Sequence, residues 1–197
     1  MKKFIFIFFL VLQISKTAVA QNAALSYYYS VNQISKPILS GTSSFTIEFW
    51  IKTSSYPENL FGLTPYTVVD IANSNNDTNR FRLTCAKGEL LHFQLDNKTI
   101  FRSNNMVADL QWHHVAFIYD SAAYKQYTMY IDGNLDTSHR GPALNLNKQN
   151  IFRLGSDLAN NYRLEGALDE FRIFNHVRSD SAINADMYRD FCNVNGM

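Results

Sequence analysis

From about Ala24 onward the chain alternates short apolar or aromatic runs with polar breaks, and within the runs the alternation has a period of two. Between Phe45 and Lys52 the odd positions are Phe45, Ile47, Phe49 and Ile51; the even ones are Thr46, Glu48, Trp50 and Lys52. Successive side chains leave a strand on opposite faces. The odd set is therefore expected to face a core, and Trp50 to lie outside, under a loop or a C-terminal helix. The same reading predicts strands over residues 67–71, 80–85, 89–96, 99–102, 112–120, 127–131, 135–139, 151–154 and 163–174. Residues 73–79, rich in Asn, read as a polar loop. Lys87-Gly88 and Asp132-Gly133 mark hairpins, and an Asp-Gly pair accepts positive φ at both turn positions. About a dozen short strands in one chain predict an all-β fold, a two-sheet antiparallel β-sandwich. One short helix is expected at the end. Ser179 caps it, Asp180 suits its positive end, and Ile183, Met187 and Phe191 recur every four residues as a docking stripe.

The first twenty residues break this pattern. Met1-Lys2-Lys3 is a basic start, residues 4–12 are an apolar run too short to span a bilayer, and Ala18-Val19-Ala20 is a small-residue cleavage triplet. Residues 1–20 read as a secretory signal peptide and 21–197 as one domain, exported to the periplasm, cell surface or medium. No cysteine follows the apolar run, so lipid anchoring is not indicated. Across the chain 18 Lys and Arg balance 17 Asp and Glu. The leader takes Lys2, Lys3 and Lys16 with it, leaving no basic excess for nucleic acid and no membrane insertion after cleavage. In an oxidising compartment Cys85 and Cys192 are a candidate disulfide, the alternative being two unpaired thiols.

Four segments carry a resemblance. Residues 44–53 (Ser-Phe-Thr-Ile-Glu-Phe-Trp-Ile-Lys-Thr) are similar to an early strand of laminin G-like domains of the concanavalin A-like lectin/glucanase superfamily. The stretch Trp112-His113-His114-Val115-Ala116-Phe117-Ile118-Tyr119-Asp120 and Tyr130-Ile131-Asp132-Gly133-Asn134 resemble the hairpin that follows. Gly166-Ala167-Leu168-Asp169-Glu170-Phe171-Arg172-Ile173-Phe174-Asn175, with Arg178-Ser179, resembles the closing strand and trailing helix. The resemblance implies a concanavalin A-like jelly roll. Function it leaves open, because lectins, adhesion modules and glycosidases share that fold.

Catalysis finds little support. A glycosidase needs two carboxyls about 5–10 Å apart. The Glu-x-Asp-x-x-Glu motif of laminarinase-like members is absent. Glu165 and Asp169, four apart on one strand, would stand about 13 Å from each other, and alternation turns Glu170 to the opposite face from both. Glu48 opposite Asp169 is the remaining cross-strand pair. His113 and His114, adjacent on a strand, cannot share a metal. Many relatives hold calcium at a rim, which needs six to eight oxygens; Asp70, Asp77 and Asp157 are the candidate ligands, although Asn- and Asp-rich loops also arise from turn geometry. Sugar binding needs exposed rings. Of the 11 tyrosines, Tyr56 and Tyr162 fall in expected loops and are the candidate ligand contacts. The expected function is binding, not catalysis: carbohydrate recognition with or without calcium, or else an extracellular protein partner.

Overall fold

The computed structural model describes residues 19–21, 25–26, 32–35, 38–53, 65–73, 76–86, 90–148, 151–159 and 161–189. Two antiparallel sheets pack face to face. Sheet A orders β1 (Val19–Gln21), β13 (Gly166–Phe174), β4 (Ser44–Thr53), β9 (His113–Asp120), β10 (Tyr127–Ile131) and β11 (Asn134–His139), with β2 (Leu25–Ser26) also on β13. Sheet B orders β3 (Asn32–Ile34), β12 (Ile151–Leu154), β5 (Tyr66–Asn73), β6 (Asn76–Ala86), β7 (Leu90–Leu95) and β8 (Lys98–Met106). Helix α1 spans Asp180–Asp186. Among the described residues, no helix is long and apolar enough to cross a membrane.

The core sits where alternation predicts. Phe45, Ile47, Phe49 and Ile51 are fully buried. They meet sheet B through stacked rings, with Phe45 on Phe81 at 5.6 Å and Phe93 on Phe117 at 5.0 Å. Asp132 and Gly133 both take positive φ, closing the β10–β11 hairpin as expected. Asp96 and Asn97 close β7–β8 in the same way.

Two boundaries differ from expectation. Residues 73–79 are not one loop, because β5 runs to Asn73 and β6 starts at Asn76, paired with it. The main-chain ladder continues past the end of the apolar pattern. Strand β8 likewise extends beyond Arg102 to Met106. There the Asp136 carboxylate accepts from the main-chain N–H groups of Asn104 (2.8 Å) and Asn105 (2.9 Å).

Helix α1 starts as its cap predicts, with Ser179 Oγ accepting from Ala182 N (3.2 Å). Ile183 buries against Ala116 and Ile118 on the outer face of sheet A, and Met187 is buried too. Phe191 lies outside the described residues. Trp50 points outward and is half-covered. Its indole N–H donates to Met187 O (3.1 Å) and its ring lies 5.5 Å from that of Tyr188. Strand β1 takes in Val19 and Ala20, the end of the expected leader.

Candidate functional site

Strand pairing arranges the outer face of sheet B in rows. Thr67 lies opposite Thr84, Thr84 opposite His92, and His92 opposite Arg102. The adjoining row runs Gln33, Arg153, Asp70, Arg82, Gln94, Thr99. Simple alternation would put Thr67 on the same side as Val69 and Ile71. A bulge between Thr67 and Val69 instead sends Val68 and Val69 into the core and keeps Thr67 outside with Asp70.

The first row has unused hydrogen-bonding capacity. Thr67 Oγ1, Thr84 Oγ1, His92 Nε2 and, in the second row, Gln94 Oε1 are buried atoms with no hydrogen-bond partner. Each such atom costs about 1–3 kcal/mol of desolvation. Burial, then the Arg102 charge, holds the His92 pKa below its ordinary value. At neutral pH its ring therefore offers one donor and one acceptor. Arg102 is exposed, and Arg82, half-buried, donates to Asn97 Oδ1 (2.7 Å).

One end of the face is built by the segment after β12. Asp157 Oδ1 accepts from Asn161 N (2.6 Å), and Asp157 N donates to Asn161 O (3.0 Å). Arg153 Nη1 donates to the carbonyls of Asp157 (2.9 Å) and Leu158 (2.8 Å). Leu158 N donates to Asp70 Oδ2 (3.0 Å). This folding delivers Tyr162, 40% exposed and at positive φ, with its carbonyl accepting from Thr67 N (2.7 Å). Tyr162 stands near enough to Arg82 to act on it electrostatically.

The sequence-predicted residues divide accordingly. Tyr162 joins the face. Asp70 and Asp157 come together, yet around a guanidinium: Arg80 binds Asp70 through two bonds (2.9 and 2.5 Å), and its Nη2 lies 3.9 Å from Asp157 Oδ2. Arg80 supplies the positive charge that a cation would bring there. Asp77 is described by its backbone alone, on β6. Tyr56 and Cys192 lie outside the described residues, and Cys85 is buried in the core. Thr67, Thr84, Arg82, His92, Gln94 and Arg102 were not singled out by sequence, since only pairing between distant strands aligns them.

On sheet A a second bulge changes the carboxyl geometry. Asp169 pairs with Trp50 and Arg172 with Glu48, so Glu170 and Phe171 together oppose Phe49. Phe171 turns inward and stacks on Phe49 (5.8 Å). Glu170, at φ 47°, therefore shares the outer face with Asp169, against the expectation from alternation, and Glu48 opposes Arg172 rather than Asp169. Glu48 is fully buried, its Oε1 3.3 Å from Arg178 Nε and its Oε2 3.6 Å from Arg172 Nη1. Burial pushes its pKa up to about 7 despite both arginines. Burial also pulls its neighbour His114 down to about 4, Arg172 adding to the effect. His113 points the other way, to Asp132 (2.8 Å) and Asp109 (3.0 Å).

A family model described as concanavalin A-like lectin/glucanases superfamily (Laminin_G_3) matches residues 26–184. Curated proteins provide no match. Among solved structures, the carbohydrate-binding module CBM40 of the Ruminococcus gnavus IT-sialidase, bound to α2,3-sialyllactose, is similar in fold. Its TM-score is 0.63 at 16% identity, covering 84% of this chain and 96% of that one. Domain 4 of the Geobacillus stearothermophilus arabinanase AbnA, in complex with arabinotriose, has TM-score 0.62 at 17% identity, covering 87% and 81%. The K499G mutant of the Streptococcus pneumoniae NanB sialidase has TM-score 0.63 at 18% identity; the match covers 82% of this chain but only 27% of the sialidase.

Proposed function

The chain belongs to the concanavalin A-like lectin/glucanase superfamily, and from that premise we propose that it is a non-catalytic carbohydrate-recognition module whose ligand lies on the outer face of sheet B. One observation carries the reading: half-buried His92 and Gln94 and the fully buried Thr67 and Thr84 behind them hold unpartnered polar atoms in adjoining rows, beside an exposed tyrosine ring. Sugar hydroxyls both donate and accept, so they match hydroxyl, imidazole and amide groups. The apolar face of a sugar ring packs on an aromatic face such as that of Tyr162. Arg82 and Arg102 add charged donors for a hydroxyl or a carboxylate. The saccharides bound by the similar modules, sialyllactose and arabinotriose, support the ligand class.

The carboxyls of sheet A support binding over catalysis. Glu48 is held between Arg172 and Arg178, and Glu170 accepts from Arg172 (2.9 Å). Arg80 binds both Asp70 oxygens and lies 3.9 Å from Asp157 Oδ2, which favours recognition without calcium at these two residues. The basic start, short apolar run and cleavage triplet support export.

The test is binding of residues 21–197 to a glycan and polysaccharide panel, with calcium and again with chelator. Saturable binding in both conditions, weakened about tenfold or more by His92→Ala and by Tyr162→Ala, is the expected result. No binding to any saccharide would overturn the reading and direct the search to a protein partner.

A further inference from the structure

On the opposite side of the sandwich, the bulge in β13 and the segment after α1 border a shallow, open cleft of about 360 Å³. It is lined by Trp50, Trp112, Asp169, Glu170, Met187, Tyr188 and Arg189. We propose that this cleft is a second ligand site, separate from the sheet B face, that takes one neutral sugar ring. Four observations converge.

Its volume is at the small end of ligand pockets, about 300–1,000 Å³, room for one ring within the cleft. Its walls are aromatic, with Trp112 38% and Tyr188 80% exposed. Trp50 is locked by its bond to Met187 O, so the wall is preformed. Its polar groups are aimed by a bulge that places Asp169 and Glu170 side by side at the cost of a left-handed Glu170, and such strain concentrates at binding sites.

The charges then choose the ligand. Glu170 is bound by Arg172, and Arg189 Nη1 lies 3.5 Å from Asp186. For Asp169 the described residues show one contact, from Glu170 N (2.8 Å), and no ion pair. Acceptors at Asp169 and a donor at Arg189 beside aromatic faces suit vicinal hydroxyls of an uncharged ring. An ammonium ligand would meet the Arg189 guanidinium, and an anionic sugar would meet Asp169.

Trp50 and Trp112 are the only two tryptophans in the chain, so intrinsic tryptophan emission reports this cleft and not the sheet B face. The experiment titrates the protein with the methyl pyranosides of glucose, galactose and mannose, with choline chloride and N-acetylneuraminic acid as controls. At least one neutral pyranoside is expected to shift the emission saturably at millimolar concentration while both controls do not. Asp169→Asn and Tyr188→Ala should each weaken the response about tenfold, and His92→Ala should leave it unchanged. No response to any neutral pyranoside, a response to either control, or indifference to both substitutions overturns the proposal. So does loss of the response in His92→Ala, which would merge the two sites. Polysaccharide binding that survives Asp169→Asn but is lost in His92→Ala bears on the sheet B face alone, so the two readings fail separately.

Discussion

The two outer faces of this sandwich both leave buried polar atoms without hydrogen-bond partners, but they differ in charge. On sheet A, Glu48 sits between Arg172 and Arg178, and those arginines also bind the helix segment that covers them: Arg172 Nη1 donates to Asp186 O (3.1 Å), and Arg178 Nη2 contacts the Asp186 carboxylate (2.7 Å). Charge there fastens α1 to the sheet. Both Glu48 oxygens and both His114 ring nitrogens still lack a hydrogen bond there, the arginines compensating the carboxylate by charge alone. On sheet B the unpartnered atoms are the neutral Thr67 Oγ1, Thr84 Oγ1, His92 Nε2 and Gln94 Oε1. Helix α1 covers the one face. On the other the unpartnered atoms are neutral, which suits the hydroxyls of a saccharide.

This contrast is open to attack first at Glu48. Glu48→Ala leaves Arg172 and Arg178 buried with less compensation and should cost roughly 3–5 kcal/mol, read by urea unfolding, with little effect on the ligand face of the intact fold. A loss below about 1 kcal/mol would mean that the cluster does not fasten the helix. The pH dependence sharpens the point. Because the Glu48 pKa is raised from 4.5 to about 7, its contribution falls as pH rises between those values. Because the His114 pKa is lowered from 6.5 to about 4, its contribution rises with pH across that window. The two oppose each other in the wild type. In Glu48→Gln only the histidine arm remains, so stability should climb from about pH 4 to 6.5, and a profile parallel to wild type would refute the assignment.

Next in size is Gly133→Ala. A Cβ there would stand 2.1 Å from Asn184 Oδ1 at φ 75°, where the turn meets α1. A loss of about 1–3 kcal/mol is expected, seen as a lower Tm and earlier exchange of the α1 amides. An unchanged Tm would show that the helix docks independently of that turn.

The smallest stability effect is the most telling. Thr84→Val removes an unpartnered buried hydroxyl at nearly constant shape, so it should be neutral or stabilise by up to about 1 kcal/mol while weakening saccharide binding about tenfold. A clear destabilisation would mean that Thr84 serves the fold instead.

The sheets, the inward set of β4, the Asp132-Gly133 turn and the Ser179 cap were legible in sequence because each depends on neighbours in the chain. Tyr162 was legible as a residue of an expected loop. The row it joins was not, since Thr67, Thr84, His92 and Arg102 meet only through the register of four strands. Bulges hid the rest. One keeps Thr67 outward, and another turns Glu170 to the side of Asp169, and a strict period of two misassigns both faces. Asp70 and Asp157 were found by their chemistry as oxygen ligands, but nothing in their spacing marked Arg80 as the cation between them.

The central claim is that the sheet B face holds the ligand, and amide shift mapping tests it most directly. Isotope-labelled protein would be titrated with whichever saccharide binds in the panel. The account predicts that perturbations centre on Thr67, Thr84, His92, Gln94 and Tyr162, with α1 unaffected by a ligand that does not enter the tryptophan cleft. Perturbations confined to other surfaces, with those five amides unmoved at saturation, would contradict it.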